Sequence, residues 1–408
     1  MTDRHALPTY AGTVQCDYFD AGECRSCALM GVRYADQLTR TQQIVAARLA
    51  EHVGADRWLP PQASRESAFR NKAKLVVGGR KGAPTLGILD AQGQGVDLRH
   101  CGLHEPDLHR AILVLAELVA ASGLTPYDVA ARQGELKHLL VTVSPDAELM
   151  VRLVLRSPGQ LPRVHELAGP LRRALPGLRV LSVNLQPEHK AVLEGPEEMV
   201  LTEQDTLPMR VNDRILHLGT RSFFQTNTEV AAALYAQVAQ WVDGLNEGRG
   251  SQVLWDLYCG VGGFALHCSA PGRQVLGVEV SEQAVASAQR SAAELGLDGT
   301  HFRAGDATSL LSDGPAAVDQ GRAGGGTVSP DTVIVNPPRR GLGQRLAEQL
   351  EAGSARHLIY SSCNATSLAL DLARMPSWQV EAARLFDMFP QTDHHEVAVL
   401  LRRRPTVG

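Results

Sequence analysis

Residues 253–264 read VLWDLYCGVGGF, a short apolar run followed at once by a turn rich in glycine. Glycines between a strand and a helix let a ligand approach the backbone at the carboxyl edge of a sheet, and Gly260 is the candidate contact. Such a turn is a weak signal by itself, because dinucleotide-binding enzymes use one too. The spacing here is G-x-G-G, which lacks the third glycine of the pattern G-x-G-x-x-G. The stretch predicts the first strand and the cofactor turn of an α/β sheet.

The rest of the C-terminal half continues this pattern. The apolar runs QVLGVEV, THFRAGD, TVIVN and HLIYSS alternate with helical segments such as SEQAVASAQRSAAELG. Continuous apolar strands separated by amphipathic helices indicate a parallel, doubly wound sheet. The last two runs, WQVEAARLFDMF and EVAVLLRR, follow each other through a loop and predict an antiparallel pair that closes the sheet. We therefore expect a Rossmann-like domain over residues 218–408.

The N-terminal half has a different rhythm. Short β-rich runs such as KLVVG, LLVTV, LMVRLVLR and LRVLSVNLQ alternate with turn signals, which predicts a smaller α+β domain over residues 1–217. Apolar residues at helical spacing predict helices over 34–53 and 108–122. We expect the first of these helices to pack on the C-terminal domain despite its early position. The glycine-rich segment 314–330 has no periodicity and predicts a surface insertion without chemistry of its own.

Composition excludes several classes of protein. The chain has 408 residues, of which 44% are hydrophobic and 21% charged, so it is neither disordered nor fibrous. Residues 1–217 hold 25 basic and 25 acidic residues; the totals of 40 and 44 leave 15 and 19 for residues 218–408, which carry the whole net charge of −4. The first residues lack the apolar run of a secretory signal, and no apolar stretch is long enough to span a bilayer. We expect a cytoplasmic protein without a membrane partner.

A basic strip lies inside the neutral first half. Between Arg65 and Lys81 there are six basic residues and a single acidic one, Glu66. A solvated strand and turn explains this composition as well as a strip that contacts nucleic-acid phosphates.

Polar side chains end the successive strands of the predicted parallel sheet. Glu279 ends the second strand and can accept both ribose hydroxyls of a nucleoside cofactor, whereas Asp306 ends the third and can accept an adenine amino group. The fourth strand ends in Asn336-Pro337-Pro338-Arg339. Each could be an ordinary strand-end cap, but ligands of open α/β sheets bind at this edge, and the order favours S-adenosylmethionine over a dinucleotide. Enzymes that methylate exocyclic amines have an aromatic residue after the two prolines, so Arg339 argues against such a target.

A candidate nucleophile and base follow. Cys363 stands between the fifth strand and the next helix, where the helix dipole is expected to lower its pKa. Glu396 begins an otherwise apolar strand, where burial is expected to raise its pKa and suit it to general-base work. With a methyl donor, the pair suits methylation of carbon 5 of a pyrimidine: the thiolate adds to C6, C5 takes the methyl group, and the base removes the C5 proton.

A cysteine cluster lies near the N-terminus. Cys16, Cys24 and Cys27 have the spacing C-x7-C-x2-C, and Cys101 follows 74 positions after Cys27. Four soft ligands suit Zn²⁺ or an iron–sulfur cluster, and spacing alone leaves zinc slightly ahead. The two remaining cysteines, Cys259 and Cys268, are predicted to be packing residues.

Taken together, DLYCGVGGF, SFFQTN, NPPRRG, YSSCNA and DMFPQTDHHE resemble the RNA uracil-5-methyltransferases, a family with a class I S-adenosylmethionine methyltransferase domain. The resemblance spans nearly all of residues 218–408. It implies that Cys363 is the nucleophile and Glu396 the base that takes the proton. It also implies the following S-adenosylmethionine contacts: Gln225, Tyr258, Glu279 and Asn336. Some members have Asp at the position of Asn336.

The cysteines narrow the resemblance to the members that act on 23S ribosomal RNA. Those members carry a 4Fe–4S cluster on four cysteines, which the tRNA members lack, so the resemblance implies that cluster here and reverses the preference for zinc. FRNKAK at 69–74 is similar to the family too, which favours RNA contact by the basic strip. The expected reaction is methylation of a uracil of 23S rRNA, with uracil 747 the expected position, by a monomer without a protein partner.

Three alternatives stay open at this stage. The first is the same chemistry on tRNA or on another 23S rRNA uracil. The second is a metal-stapled RNA-binding protein whose Rossmann-like half is a vestigial ligand sensor, which the joint presence of Cys363 and Glu396 disfavours. The third is an NAD-dependent oxidoreductase, which the G-x-G-G spacing and the NPPR sequence disfavour.

Overall fold

A computed structural model of the chain describes residues 14–189, 192–245, 252–312 and 329–405. The first 13 residues and most of the predicted insertion 314–330 lie outside these ranges. The α-helices are α1 (Asp17–Asp20), α2 (Tyr34–Arg48), α3 (Pro106–Ser122), α4 (Leu161–Ala174), α5 (Thr228–Gly244), α6 (Gly263–His267), α7 (Glu282–Glu294), α8 (Ala307–Ser312), α9 (Gln344–Ala352) and α10 (Ala365–Ala373). Two short 3-10 helices cover Ala55–Arg57 and Pro158–Gln160.

Sixteen strands are formed by the described residues. They are β1 (Lys72–Arg80), β2 (Ala83–Leu89), β3 (Gly95–Asp97), β4 (Leu136–Val143), β5 (Leu149–Leu155), β6 (Leu178–Leu185), β7 (Glu197–Val200), β8 (Thr206–Val211), β9 (Arg214–Gly219), β10 (Val253–Leu257), β11 (Gln274–Glu279), β12 (Thr300–Ala304), β13 (Thr332–Val335), β14 (His357–Ser362), β15 (Trp378–Phe386) and β16 (Glu396–Arg403). Among the described residues, no helix is both long and apolar enough to cross a membrane.

Contacts between residues divide the chain into two units, each made of three separate segments of the sequence. Unit 1 comprises Met1–Gln37, Arg65–Leu207 and Pro390–Asp393; unit 2 comprises Leu38–Ser64, Pro208–Phe389 and His394–Gly408. The chain therefore passes between the units several times. The two functional domains expected from the sequence, 1–217 and 218–408, stay a prediction.

Unit 1 is built on a seven-stranded sheet with the order β3-β2-β1-β4-β5-β6-β7. Neighbouring strands are antiparallel except β5 and β6, which are joined through α4 and run parallel. Its core combines the sheet with the apolar stripes of α3 and α4, including Leu108, Leu115 and Leu171. The predicted helix 108–122 is confirmed and begins two residues earlier, at Pro106.

A short segment from the end of the chain belongs to unit 1. Gln391 is buried with φ at +69°, and its side-chain and backbone groups pair with Gln37. The Gln37 amide donates to Oε1 of Gln391 at 2.8 Å, and the Gln391 backbone N–H donates to Oε1 of Gln37 at 3.0 Å. The Leu29 N–H donates to the carbonyl of Gln391 at 3.0 Å. Two buried side-chain amides that satisfy each other thus fix Pro390–Asp393.

The basic residues of the strip between Arg65 and Lys81 differ in how far they are buried. Lys72 is largely buried, and its pKa is lowered to about 8 by burial and by the charge of Lys74. The positive charge of Arg70 opposes the rise in the pKa of the Cys27 and Cys101 thiols. Arg80 and the following Lys81 are exposed at the turn between β1 and β2. RNA contact by this strip stays a prediction.

Unit 2 contains the parallel sheet, with the order β12-β11-β10-β13-β14-β16-β15. Strands β10 to β14 all run parallel to one another, whereas β16 is antiparallel to both β14 and β15. The expected doubly wound sheet with an antiparallel closing pair is confirmed. Because parallel strands share one carboxyl edge, the turns after β10, β11, β13 and β14 meet there.

An early part of the chain completes unit 2. Val45 of α2, and Leu49 and Val53 just after this helix, are buried in the core that lines the parallel sheet. The helix ends at Arg48 rather than at 53. The segment after it runs beside β15: the Leu59 N–H donates to the carbonyl of Ala383 at 2.8 Å, with a further bond from Gln62 to Leu385.

Two leucines of α10 offer a matched test of the unit 2 core. Leu368 is fully buried, whereas Leu370, two residues on, is 56% exposed. Replacing a buried leucine with alanine removes apolar burial and leaves a cavity. We expect Leu368→Ala to lower the free energy of unfolding by about 2–5 kcal/mol. Leu370→Ala should change it by less than about 0.5 kcal/mol in chemical denaturation. Equal effects would contradict the helix orientation.

Candidate active site

The glycine turn after β10 packs closely against α5 at Gly263 and has open space beside Gly260. Tyr258 has φ at +65° and Gly260 at +53°, so both are in the left-handed region. A Cβ on Gly260 would meet no atom within 4 Å, whereas one on Gly263 would lie 2.6 Å from the ring of Tyr235 on α5. The open side leaves room for a ligand to reach the backbone, as expected for a cofactor turn.

Asp256 holds the turn closed from inside the sheet. The residue is fully buried, and its Oδ2 accepts the Ala265 N–H at 2.9 Å. Burial raises the pKa of Asp256 to about 8; the bond from Ala265 opposes this, and the charge of Glu279 adds to it. Its Oδ1 has no hydrogen-bond partner among the described residues. Asp256 therefore ties the end of β10 to the start of α6.

Glu279 reaches the same turn from the end of β11. The Gly260 N–H donates to its Oε2 at 3.2 Å and the Ser281 N–H donates to its Oε1 at 3.1 Å. Each carboxylate oxygen retains a further acceptor site, so ribose hydroxyls remain possible partners. Val280 beside it is 66% exposed and apolar. These two acceptor oxygens and the open side of Gly260 fit a nucleoside cofactor.

The other expected cofactor residues lie along the same edge or lead to it. The Asn336 N–H donates to the carbonyl of Leu257 at 3.4 Å, which places Asn336 beside the start of the glycine turn. Gln225 is buried in the segment between β9 and α5, just before Asn227, which caps that helix. Asp306 instead caps α8, since its Oδ1 accepts the N–H groups of Thr308 and Ser309, both at 3.0 Å.

Cys363 lies in the turn between β14 and α10 and is half-buried. The expectation that its pKa is lowered is wrong. Burial raises the pKa of the thiol, and the charge of Glu396 raises it further. The nearby charge of Arg339 opposes both effects. Desolvation of a thiolate next to a carboxylate outweighs the field at the helix end.

Glu396 is brought to Cys363 by strand pairing. In the antiparallel register of β14 and β16, Ser361 lies opposite Ala398 and Ser362 opposite Val397, so the chain leaves β14 at Cys363 where β16 begins at Glu396. The charge of Glu396 acts on the Cys363 thiol. Glu396 is 3% exposed, and burial raises its pKa to about 7. The raised pKa expected for this carboxyl group is confirmed. A half-buried thiol and a carboxyl group with a pKa near neutrality thus lie close together.

Helix α10 also fixes the loop that follows Asn336. Asp371 is buried, and its Oδ2 accepts the Tyr360 hydroxyl at 2.8 Å and the Leu342 N–H at 2.7 Å. The Asn364 amide and the Ser367 hydroxyl donate to the carbonyl of Arg339 at 3.1 and 3.2 Å.

These bonds join the NPPRRG loop to the strand and the turn of Cys363. Sequence reasoning missed Asp371 and also Ser361, whose hydroxyl donates to Glu396. The signal for Asp371 is an acidic residue on the apolar face of a short helix, in ATSLALDLA. The signal for Ser361 is its place two residues before Cys363, on the same side of the strand.

The four N-terminal cysteines are free and half-buried in unit 1. Burial and the charges of Cys101, Cys24 and Cys16 raise the pKa of Cys27 to about 11, so the four thiols lie within electrostatic reach of one another, and the Arg70 charge opposes these effects. Among the described residues, however, no group of three or more His, Cys, Asp or Glu is arranged to hold a metal ion. The four cysteine sulfur atoms suit a metal cluster by their chemistry and their proximity. Their positions, however, are not those of ligands around one metal ion. Cys259 and Cys268 are buried, as expected of packing residues.

The fold and the edge of the sheet define a Rossmann-like methyltransferase. A family model described as tRNA (Uracil-5-)-methyltransferase matches residues 197–404. The chain is 47% identical over 393 residues to the 23S rRNA (uracil(747)-C(5))-methyltransferase RlmC of Halothiobacillus neapolitanus, and 43% identical over 392 residues to that of Yersinia pestis. Each match covers 96% of this chain and 100% of the relative. The chain belongs to the uracil-5-methyltransferase family.

A solved structure has the same fold. The tRNA (uracil-54, C5)-methyltransferase of Pyrococcus abyssi, in complex with S-adenosyl-L-homocysteine, superposes with a TM-score of 0.72 at 24% identity. The match covers 92% of this chain and 85% of that one.

The Asp371 bonds generate a stability prediction. Asp371→Ala leaves the buried Tyr360 hydroxyl without its acceptor, which costs about 1–3 kcal/mol of unfolding free energy. Arg374 also pairs with Asp371, at 3.2 Å, but its side chain is 40% exposed. Arg374→Ala should therefore cost less than about 1 kcal/mol. Denaturation midpoints of the two variants measure the difference, and equal shifts would argue against a buried clamp.

Proposed function

We propose that this protein methylates carbon 5 of uracil 747 in 23S rRNA, with S-adenosylmethionine as the donor, through a covalent bond between Cys363 and C6. The observation that carries the proposal is the pairing of β14 with β16, which sets Cys363 beside the buried Glu396. The relatives named RlmC, similar over nearly the full chain, support the choice of RNA and of position.

The mechanism follows from what the two side chains can do. The Cys363 thiolate adds to C6 of the ring, and the electrons of the C5–C6 double bond move toward the carbonyl at C4. The Arg339 charge and a backbone hydrogen bond favour this thiolate against the effects of burial and of Glu396. When bound, S-adenosylmethionine supplies an electrophilic methyl group to the activated C5. Glu396 then takes the C5 proton, the C5–C6 double bond re-forms, and the thiolate of Cys363 leaves.

We assign the cofactor to the carboxyl edge of unit 2. Glu279 is suited to the ribose hydroxyls, and Gly260 leaves the backbone open to the ligand. Tyr258, Asn336 and Gln225 are proposed as further contacts. The target base must reach both Cys363 and the donor, so we infer that the uracil is flipped out of its RNA stack. A cytoplasmic location and a monomeric state stay predictions.

Methylation of tRNA is the second candidate, since the matching family model carries a tRNA description. The two functions separate in one assay with matched RNAs. A fragment of 23S rRNA around uracil 747 should accept methyl groups, and the same fragment with cytidine at 747 should not. Methylation of unmodified tRNA at an equal or higher kcat/KM would instead favour the second candidate.

Replacing the nucleophile tests the covalent step. Cys363→Ala should reduce methyl transfer by about 10³-fold or more, because addition to C6 is lost. S-adenosylmethionine affinity, measured by calorimetry, should change less than about threefold, since Cys363 does not hold the donor. Retained turnover would contradict the role of Cys363.

Replacing the base should stop the reaction one step later. In Glu396→Gln the methyl group is transferred but the C5 proton is not removed, so the RNA remains bound to Cys363. We expect a protein–RNA complex that survives denaturing electrophoresis and is absent from the double variant Cys363→Ala/Glu396→Gln. Normal turnover without a complex would contradict the assignment of Glu396.

We also propose that Cys16, Cys24, Cys27 and Cys101 hold a 4Fe–4S cluster. The charges of Cys101, Cys24 and Cys16 all act on the pKa of Cys27, which supports four sulfur atoms close enough to share one cluster. The cluster would supply cross-linking of the segments that carry these cysteines, and no step of the methylation needs it.

Metal analysis of protein purified without oxygen tests this proposal. We expect about four irons per chain, and their loss in Cys27→Ser. Cys268→Ala provides the control, since Cys268 is buried in unit 2 and should leave the iron content unchanged. Bound zinc without iron would overturn the cluster.

A further inference from the structure

The buried carboxylate of Glu396 has a partner on the neighbouring strand. The Ser361 hydroxyl donates to its Oε1 at 2.5 Å, and Ser361 is fully buried. Strand geometry explains the contact: Ala398 of β16 lies opposite Ser361 of β14, so the two side chains share one side of the sheet. Glu396 is two residues from Ala398 along β16, so it is the diagonal neighbour of Ser361.

The surroundings of Glu396 offer little else to a negative charge. Phe386 lies opposite it on β15. Among the described residues, the titratable groups whose pKa the charge of Glu396 raises are Tyr235 from α5 and Cys363 after β14. Both become negative on ionisation, and burial raises the pKa of each. Burial raises the pKa of Glu396 as well, and the Ser361 hydroxyl is the group that opposes this.

We infer that Ser361 is a positioning residue for the base: its hydroxyl holds Oε1 of Glu396, stabilises the ionised form, and leaves Oε2 as the oxygen that takes the C5 proton. This inference rests on the proposed role of Glu396. In the step concerned, the C5–H bond breaks and the proton passes to Oε2. Its electron pair forms the C5–C6 double bond, and the bond from C6 to Sγ of Cys363 breaks. Ser361 keeps its own proton throughout.

The test is the pH dependence of adduct resolution in single-turnover experiments on the full chain with the 23S rRNA fragment. In Ser361→Ala the acidic limb of the profile of adduct-resolution rate against pH should move to higher pH by about one unit. The reason is that the Glu396 carboxylate loses a hydrogen bond, which raises its pKa. The sign follows from the direction of the shift: a higher pKa leaves less carboxylate at any pH below it. At pH 7, close to the wild-type pKa of Glu396, the adduct should therefore decay about fivefold more slowly, and about tenfold more slowly at pH 5. At pH 9 its decay should approach that of the wild type.

Two further variants separate a hydroxyl effect from a packing effect. Ser361→Thr keeps the donor, so its limb should stay near the wild-type position whatever its absolute rate. Ser361→Cys is close to serine in size but a weaker donor, so its limb should lie between those of serine and alanine. The rate of adduct formation, which does not use the base, should change by less than about threefold in all three.

The outcomes distinguish the inference from the function beneath it. If Glu396→Gln accumulates adduct while Ser361→Ala and Ser361→Cys keep the wild-type profile, the role of Ser361 is overturned and the base assignment stands. If Glu396→Gln turns over normally, both fail. An equal shift in Ser361→Thr and Ser361→Ala would show that packing, rather than the hydroxyl, sets the profile, and would also overturn the inference.

Discussion

The antiparallel pairing of β16 with β14 is the constraint on which the proposed chemistry of this protein depends. It places Glu396, the first residue of β16, beside the turn that carries Cys363. The same pairing buries the carboxyl group between β14 and β15, which brings its pKa to about 7. Burial also raises the pKa of Cys363, so the site that prepares a base makes the thiolate harder to form. Arg339 and Ser361 counter these two effects, one for each group.

The rest of the site is held by buried polar groups that tie successive turns together. Asp256 closes the glycine turn, and Glu279 joins that turn to the end of β11. Asp371 joins the loop after Asn336 to the strand that precedes Cys363. Each carboxylate links a strand or a helix to a turn or a short helix that is separate from it, so the edge of the sheet is a connected set of turns. Such preorganisation is what a methyl transfer between two bound molecules requires.

Much of this architecture was predictable from the sequence, because apolar strands and glycine turns are strong local signals. The parallel order of β10 to β14, the antiparallel closing pair and the burial of Glu396 follow from such patterns. The sign of the pKa shift at Cys363 was not predictable, since it depends first on how far the fold buries the thiol and then on a carboxylate from another strand. The membership of Pro390–Asp393 in unit 1 depends on Gln37, which is 354 positions away from Gln391. Ser361 stands in an ordinary apolar strand, and only the register reveals its partner.

The central claim, a covalent bond from Cys363 to C6 that Glu396 releases, is tested most directly with 5-fluorouridine at position 747 of the RNA fragment. Fluorine cannot be taken from C5 as a proton is, so the reaction should stop after methyl transfer. Mass analysis of the digested complex should then show the Cys363 peptide joined to a nucleotide that carries both fluorine and methyl. A complex linked through another residue, or the absence of any stable complex despite active enzyme, would contradict the account.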